Sequence, residues 1–295
     1  MNPIAVTLIL ASCTMHAGWN LMIRGHAGAA RMRFVARMLL VAAAAGLVPA
    51  TVSELLARSL TGRAWLCVAG SGACCGAYYY ALARAYGSSD FTVVYPVARS
   101  LPVLLIAAAD VLRGRMPSPL GWAGLVLVVG GCFLAPLHAF GDVRLRRYLN
   151  RGVAWMALTA MGTVGYTLLD KLAAEAVTPG AATAARYGYF FFLGSYVTYV
   201  ALVKLFPVGR DRPGRPIAWR PAVVAGVLNF GAYWLVLWAY QLARRASYVV
   251  ALRQFSIVLG VVAAFAIYRE KGLFVRLAGT LLIAAGLVLI GAWGG

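Results

Sequence analysis

The chain has 295 residues, of which 62% are hydrophobic and only 12% are charged, and its mean hydropathy is +0.80. A soluble domain carries about twice that share of charge, because its surface faces water. The composition therefore excludes a soluble globular protein and predicts an integral membrane protein. Lysine and arginine number 27 against 8 acids. The basic residues lie in short stretches between apolar runs, a pattern that fits lipid headgroups and excludes a nucleic-acid partner.

Five apolar runs in the first half are each long enough to cross a bilayer core of about 30 Å. They lie near 3–23, 34–52, 64–84, 91–112 and 119–137. The first run lacks a basic leader and a clear cleavage site, which favours a retained helix over a signal peptide.

Five further runs follow a polar linker at 139–151 and lie near 152–170, 181–206, 219–243, 246–268 and 273–293. The sequence thus predicts an all-α membrane protein of ten transmembrane helices. We divide it into a first five-helix repeat at 1–138, the linker, and a second repeat at 152–295.

Three short matches, in order and about 150 residues apart, indicate an internal duplication. They pair 16–20 with 163–167, 36–37 with 185–186, and 97–100 with 251–254. Because five helices is an odd number, the second repeat enters the membrane from the opposite side. Such inverted repeats commonly place a substrate site at mid-membrane between the halves, and transport follows from this geometry.

Two arginines, Arg99 and Arg253, lie about eight residues into their helices, a rise of about 12 Å. A lipid-facing arginine at that depth is costly, so both should face the bundle interior or water. One interpretation is structural, with each guanidinium tying helices together. The other is functional, with the pair binding a carboxylate, phosphate or phosphonate group.

Other polar and aromatic residues accompany the arginines as candidates for substrate binding, and two prolines could hinge the fourth helix. Packing, histidine hydrogen bonding and interfacial belts are the competing interpretations of these residues. The candidate binding residues are His16, Trp19, Asn20, Tyr95, Tyr166, Arg186 and Gln254, and the hinge residues are Pro96 and Pro102.

Nothing in the sequence predicts a metal or another cofactor, because the cysteines and the three histidines lack ligand spacing. The acids Asp90, Asp110, Asp170 and Glu270 fall at or near the predicted helix ends. The sequence therefore shows no isolated mid-membrane carboxylate. A proton or another coupling ion stays open, as do a monomer and a homodimer.

Three segments together resemble the drug/metabolite transporter superfamily, and more narrowly an EamA-type ten-helix permease. They are 16–20 (HAGWN), 95–99 (YPVAR) and 269–271 (REK). The resemblance covers essentially the whole chain. It implies a multi-pass carrier of the bacterial inner membrane with a cavity between the halves, a small-molecule substrate and lipid as surroundings. It also implies that both termini are cytoplasmic. The positive-inside rule favours the opposite orientation, with both termini outside, because the odd-numbered loops hold roughly sixteen basic residues and the even-numbered loops roughly seven.

These features predict a secondary transporter that moves a zwitterionic or anionic metabolite, such as an amino acid, by alternating access. The resemblance favours export. Two alternatives stay open: a flippase that grips a phosphate on a lipid-linked substrate, and a membrane-embedded enzyme. The enzyme reading requires a nucleophile, an acid–base pair or a metal cluster, and the sequence assembles none of them.

Overall fold

The computed structural model describes residues 1–88, 91–135, 137, 151–207, 218–268 and 273–294. For residues 24, 86–88, 91–97, 151–153, 263–268 and 273 it describes the backbone alone. These parts of the chain form twelve α-helices: α1 (Pro3–Arg24), α2 (Gly28–Ala44), α3 (Leu47–Ala57), α4 (Gly62–Ser88), α5 (Phe91–Leu112), α6 (Pro119–Leu134), α7 (Arg151–Ala174), α8 (Ala181–Leu205), α9 (Trp219–Leu242), α10 (Ala246–Arg253), α11 (Phe255–Tyr268) and α12 (Leu273–Trp293).

The twelve helices make ten membrane crossings, because two crossings are each built from a pair of helices. Helices α2 and α3 form the second crossing, and α10 and α11 form the ninth. Six helical spans of 20 to 30 residues are long and apolar enough to cross a membrane on length and composition alone. The predicted ten-helix, two-repeat architecture is thereby confirmed.

Both termini lie at the same face of the bundle, which we call the terminal face. The ammonium of Met1 donates a hydrogen bond to the Gly291 carbonyl near the end of α12 (3.2 Å). Helix α1 begins at this face and helix α6 ends at the opposite face. Helix α7 then starts the second repeat from that opposite face, which gives the two repeats inverted orientations.

The repeats interlock through helices that belong to different halves. Helix α4 packs on α7 and α8, α1 packs on α9, and α6 packs on α12. Glycines allow the closest of these approaches: a Cβ atom on Gly131 of α6 would lie 2.5 Å from the Gly279 carbonyl of α12. Small residues commonly serve this purpose between membrane helices.

The prolines of α5 do not mark a break in the helix. Helix α5 runs as one α-helix through Pro96 and Pro102, so the interruption expected there is absent and its hinge role stays a prediction. The break lies instead at Gln254 in the ninth crossing, where Ile257 N donates to the Gln254 carbonyl (2.8 Å). Pro102 removes the N–H that would bond the Ala98 carbonyl, and both residues line a cavity where a freed carbonyl is tolerated.

Polar contacts join the two halves at the terminal face. Asp110 at the end of α5 accepts hydrogen bonds from Ala246 N (3.3 Å) and Ser247 N (2.8 Å), and so caps α10. Just beyond α7, Glu175 accepts from Arg113 (2.5 Å) and from Arg115.

The carboxyl of Glu175 stays ionised well into acid. Partial burial opposes its ionisation, but hydrogen bonds from Arg115 and Arg113 and the charge of Lys171 outweigh that burial and lower its pKa to about 2. The ionic cluster therefore keeps its negative member at any physiological pH.

Candidate functional site

A cavity with a polar wall lies between the two repeats, and we call it the polar cavity. Its cavity volume is about 30 Å³, and it is lined by both repeats. Its walls are His16, Asn20, Tyr78, Leu82, Ala98, Arg99, Pro102, Thr159, Thr163, Tyr166, Val250, Arg253 and Gln254.

A second space adjoins the polar cavity, and we call it the aromatic cavity. Its cavity volume is about 20 Å³, and it shares His16, Tyr78, Tyr166 and Arg253 with the polar cavity. Its other walls are Trp19, Cys75, Tyr79, Phe191, Phe192, Asn229, Ala232 and Tyr233.

Arg99 is half-buried at the wall of the polar cavity and is oriented by His16. Its Nη2 atom lies 3.0 Å from His16 Nε2 and 3.5 Å from the Ser256 hydroxyl. Because a guanidinium can only donate, His16 Nε2 must accept, and the imidazole is neutral with its proton on Nδ1. The edge-to-face contact between His16 and Trp19, with ring centroids 4.7 Å apart, holds that ring in place.

Arg253 lies at the boundary of the two cavities, at the end of α10. Its guanidinium sits over the Tyr233 ring, 5.4 Å from the centroid, a cation–π contact. Tyr78 and Tyr166 line both cavities together with Arg253. No described carboxylate lies within ion-pair distance (4 Å) of Arg253.

The aromatic cavity also presents hydrogen-bond donors. Within the described part of the chain, Trp19 Nε1 and Asn229 Nδ2 have no acceptor. Tyr79 donates to Asn229 Oδ1 (2.9 Å), which fixes the amide so that its N–H₂ group is the free end. Unpaired buried donors are rare in folded proteins and indicate a missing acceptor.

The structure brings most of the sequence-predicted residues together. His16, Asn20, Arg99, Pro102, Tyr166, Arg253 and Gln254 line the polar cavity, and Trp19 lines the aromatic cavity. The side chains of Tyr95 and Pro96 lie outside the described residues. Two pairs of residues at equivalent positions of the repeats meet here. Arg99 and Arg253 line the polar cavity, and Trp19 and Tyr166 line the aromatic cavity.

Arg186 is the predicted binding residue that the structure places elsewhere. It lies at the terminal face, where its Nε is 3.3 Å from Glu54 Oε2 and its Nη1 donates to the Ser53 hydroxyl (2.8 Å). It also donates to Ser59. These contacts join α8 to α3, and neither cavity includes Arg186. It is therefore a helix-joining residue, and we leave it out of the proposed site.

Sequence reasoning missed the buried carboxylate of Asp170. The predicted helix ended at this residue, whereas α7 continues by one turn to Ala174, so Asp170 lies inside the helix. It is fully buried and accepts hydrogen bonds from Ser71 (2.5 Å), Tyr187 (2.7 Å) and Tyr233. These three partners come from three other helices, so no local signal in the sequence would have revealed them.

The repeat structure of this site has a counterpart in a known family. The sequence profile of the EamA-like transporter family matches residues 3–136 and again residues 150–292. The chain belongs to the EamA-like transporter family. Members of this family are membrane transporters of the drug/metabolite transporter superfamily, so the earlier resemblance is confirmed, and the chain is a multi-pass membrane protein.

A solved structure agrees with the family fold. One chain, titled only "Crystal structure of protein", superposes with a TM-score of 0.70 over 98% of this chain and 97% of its own length. The two sequences are 18% identical, so this likeness supports the fold alone. No curated protein matches the chain.

Proposed function

We propose that this transporter moves a small metabolite with an anionic group across the bacterial inner membrane by alternating access. The observation that carries the proposal is the arginine pair, Arg99 and Arg253, at a shared cavity. No described residue lining either cavity is a carboxylate. Arg253 has no described carboxylate within 4 Å, and a guanidinium in a confined, partly desolvated space favours an anionic ligand, because removing charge from water is costly unless a counter-charge is provided.

The donor set fits a carboxylate or a related oxyanion. A guanidinium offers a planar fork of N–H groups that matches two carboxylate oxygens. Trp19 Nε1 and Asn229 Nδ2 add unpaired donors beside Arg253. A bound oxyanion would satisfy these groups together, whereas an apolar ligand would leave them unpaired.

The remaining walls favour a compact metabolite that also carries an apolar or cationic part. The aromatic rings of Tyr78, Tyr166 and Phe191 line the aromatic cavity. Ring faces attract cations as well as apolar groups. Gln254 Oε1, on the polar cavity, has no donor among the described residues and offers an acceptor for an ammonium group. These features support a zwitterion, such as an amino acid, as well as a simple anion.

Alternating access is supported by the inverted repeats and by the contacts between the halves at the terminal face. The contacts of Asp110 and Glu175 join the two halves at that face. Rocking of the halves would break these contacts and expose the site at the terminal face. We assign the direction as export on the family resemblance alone.

The test is a thermal-shift screen of the purified protein in detergent with amino acids, organic acids, phosphonates and cationic drugs. A ligand of the folded state raises its apparent melting temperature as occupancy rises. The screen would use the wild type, Arg99→Gln and Arg253→Gln. Arg63→Gln is the matched control, because Arg63 is exposed at the start of α4 and loses the same charge.

We expect one anionic or zwitterionic class to stabilise the wild type and Arg63→Gln but neither cavity variant. Losing one charge-assisted bond costs about 1.5–3 kcal/mol, which is roughly 10- to 100-fold in affinity. Stabilisation by cationic or apolar compounds alone, unchanged in both cavity variants, would refute the anionic substrate.

A further inference from the structure

Asp170 is a buried carboxylate that the arginine site does not use. Its side chain lies on α7, one turn before the end at Ala174, and is shielded from solvent. Its Oδ1 accepts hydrogen bonds from the hydroxyls of Ser71 (2.5 Å) and Tyr187 (2.7 Å), and its Oδ2 accepts one from Tyr233.

Three hydroxyl donors fit an ionised carboxylate. A carboxylate only accepts hydrogen bonds, so all three donors are satisfied by it. A protonated carboxyl gains an O–H donor and loses acceptor capacity, so at least one of these hydroxyls would have to turn away. Protonation of Asp170 thus changes its contacts in a defined way.

One of the three contacts crosses between the repeats. Ser71 belongs to α4 in the first half, whereas Tyr187 and Tyr233 belong to the second half, as Asp170 does. The Ser71–Asp170 bond therefore joins the two halves between the cavities and the terminal face. The Ser71 hydroxyl also lies 3.4 Å from the Tyr166 carbonyl of α7, so it contacts the second half at two acceptors.

Asp170 is also linked to the substrate site through one side chain. Tyr233 donates its hydroxyl to Asp170, presents its ring to the Arg253 guanidinium, and lines the aromatic cavity. The charges of Asp170 and Arg253 thus interact across a single ring. A ligand that neutralises Arg253 removes a stabilising counter-charge from Asp170.

Most of the ionisable groups around Asp170 are tyrosines and cysteines. Lys171, the next residue, directs its ammonium to the carbonyls of Tyr240 and Ala243 and to Glu175 Oε1 (3.2 Å). The titratable and charged groups around Asp170 are Cys67, Cys74 and Cys75 on α4, Tyr166 and Lys171 on α7, Tyr187 on α8, Tyr233 and Tyr240 on α9, and Arg253 on α10. Tyrosine and cysteine are ordinarily neutral in the physiological range, so Asp170 is the acid here that can exchange a proton.

We infer that Asp170 is the proton-binding site that couples proton movement to the opening of the terminal face. The inference rests on the alternating access proposed above. The ionised carboxylate holds Ser71 and keeps the halves together. A proton taken from water by a carboxylate oxygen weakens that bond, and the terminal face opens. The distances of 2.5 and 2.7 Å to the hydroxyl oxygens are those of direct hydrogen bonds and leave no space for a metal ion between them.

The test follows the opening of the terminal face without any substrate. The five native cysteines are replaced by alanine, and Ala174→Cys provides a reporter. Ala174 is buried and lies four residues beyond Asp170, on the same side of the helix and nearer the terminal face. A membrane-impermeant maleimide then labels the purified protein in detergent between about pH 8 and about pH 5.5. Thr61→Cys, at an exposed position of the same face, corrects for the intrinsic pH dependence of thiol reactivity.

We expect the corrected labelling rate to rise by about threefold or more as the pH falls. In Asp170→Asn the rate should be high at every pH, because an amide lacks the charge that holds Ser71. A flat profile in the protein that retains Asp170, or a pH response that persists in Asp170→Asn, would overturn the inference.

A second variant keeps the test decisive where Asp170→Asn does not fold. Ser71→Ala keeps the Asp170 carboxylate and removes the contacts of the Ser71 hydroxyl with Asp170 and with the Tyr166 carbonyl, and it should raise labelling at about pH 8. Unchanged labelling in Ser71→Ala would contradict the claim that the Ser71–Asp170 bond holds the two halves together.

Two further arms assign the pH response to a proton on Asp170. Glu175→Gln should keep the pH response, because Glu175 stays ionised over this range. Replacing Na⁺ by choline at constant pH should change nothing, and a response to Na⁺ alone would refute a proton. Since no substrate is present, a negative result here leaves the arginine site untouched, and failure of the arginine test leaves this result standing.

Discussion

The contact between α6 and α12 gives opposite predictions for two adjacent glycines. A Cβ atom on Gly131 would lie 2.5 Å from the Gly279 carbonyl oxygen, 2.6 Å from Ile283 Cγ1 and 2.8 Å from Ile283 N. A Cβ atom on Gly130 would meet nothing within 4 Å. Both positions lie within α6, so the two substitutions share the same helix and the same chemical change.

Gly130→Ala should stabilise the protein and Gly131→Ala should destabilise it. Replacing a helical glycine by alanine gains about 0.5–1 kcal/mol where space allows. At Gly131 the new methyl group meets backbone atoms, which cannot rotate away, so α12 must move outward by about 0.5–1 Å to restore ordinary contact. Overpacking of this kind costs about 1–3 kcal/mol.

Because both variants gain the same helix propensity, they should differ by the overpacking cost, about 1–3 kcal/mol in the free energy of unfolding. At about 2–4 °C per kcal/mol, the apparent melting temperatures should differ by roughly 2–12 °C. The assay is thermal unfolding in one detergent at a fixed scan rate, since unfolding of such proteins is often irreversible. Equal melting temperatures, or a more stable Gly131→Ala, would refute the close approach of α6 and α12.

Two further predictions concern the terminal face. Asp110→Ala leaves the N–H groups of Ala246 and Ser247 without their acceptor, so it should lower stability by about 1–3 kcal/mol in the same thermal assay. Asp110→Asn keeps an oxygen acceptor, so it should retain more than half of the stabilisation that Asp110→Ala loses. Glu175→Gln should cost about 1 kcal/mol after solvent screening. The folded pKa of about 2 lies below the unfolded value near 4.3, so this contribution is complete above about pH 5 and is lost as the pH falls toward 2. A stability difference between wild type and Glu175→Gln that disappears already between about pH 8 and about pH 6 would contradict the ionic cluster.

The ten crossings were predictable from the sequence because the bilayer imposes a length on each of them. The runs near 3–23 and 181–206 agree with α1 and α8 within about two residues. The helix breaks were harder to place. Pro96 and Pro102 are local signals of interruption, yet α5 is continuous, whereas the break at Gln254 carries no such residue. Packing against neighbouring helices decides these details, and the sequence does not show it.

The site was predictable where depth in the membrane was the evidence. Arg99 and Arg253 were recognised because charge is costly at mid-membrane, and both line the polar cavity. Arg186 has the same residue type and a duplicated neighbourhood, but its partner Glu54 comes from another helix. The partners of Asp170 also come from other helices, and the predicted end of this helix, one turn too early, concealed the buried carboxylate. The sequence therefore predicts which residue types lie deep in the membrane, but it does not predict which side chains they contact.

The central claim, that the arginine pair binds the transported anion, is tested most directly by counterflow in proteoliposomes. The probe is the compound that gives the largest thermal shift, loaded inside and supplied in labelled form outside. Wild type and Arg63→Gln should accumulate the label equally, whereas Arg253→Gln should need roughly 10- to 100-fold more of it for the same rate. Equal counterflow by Arg253→Gln at the same concentrations would contradict the claim.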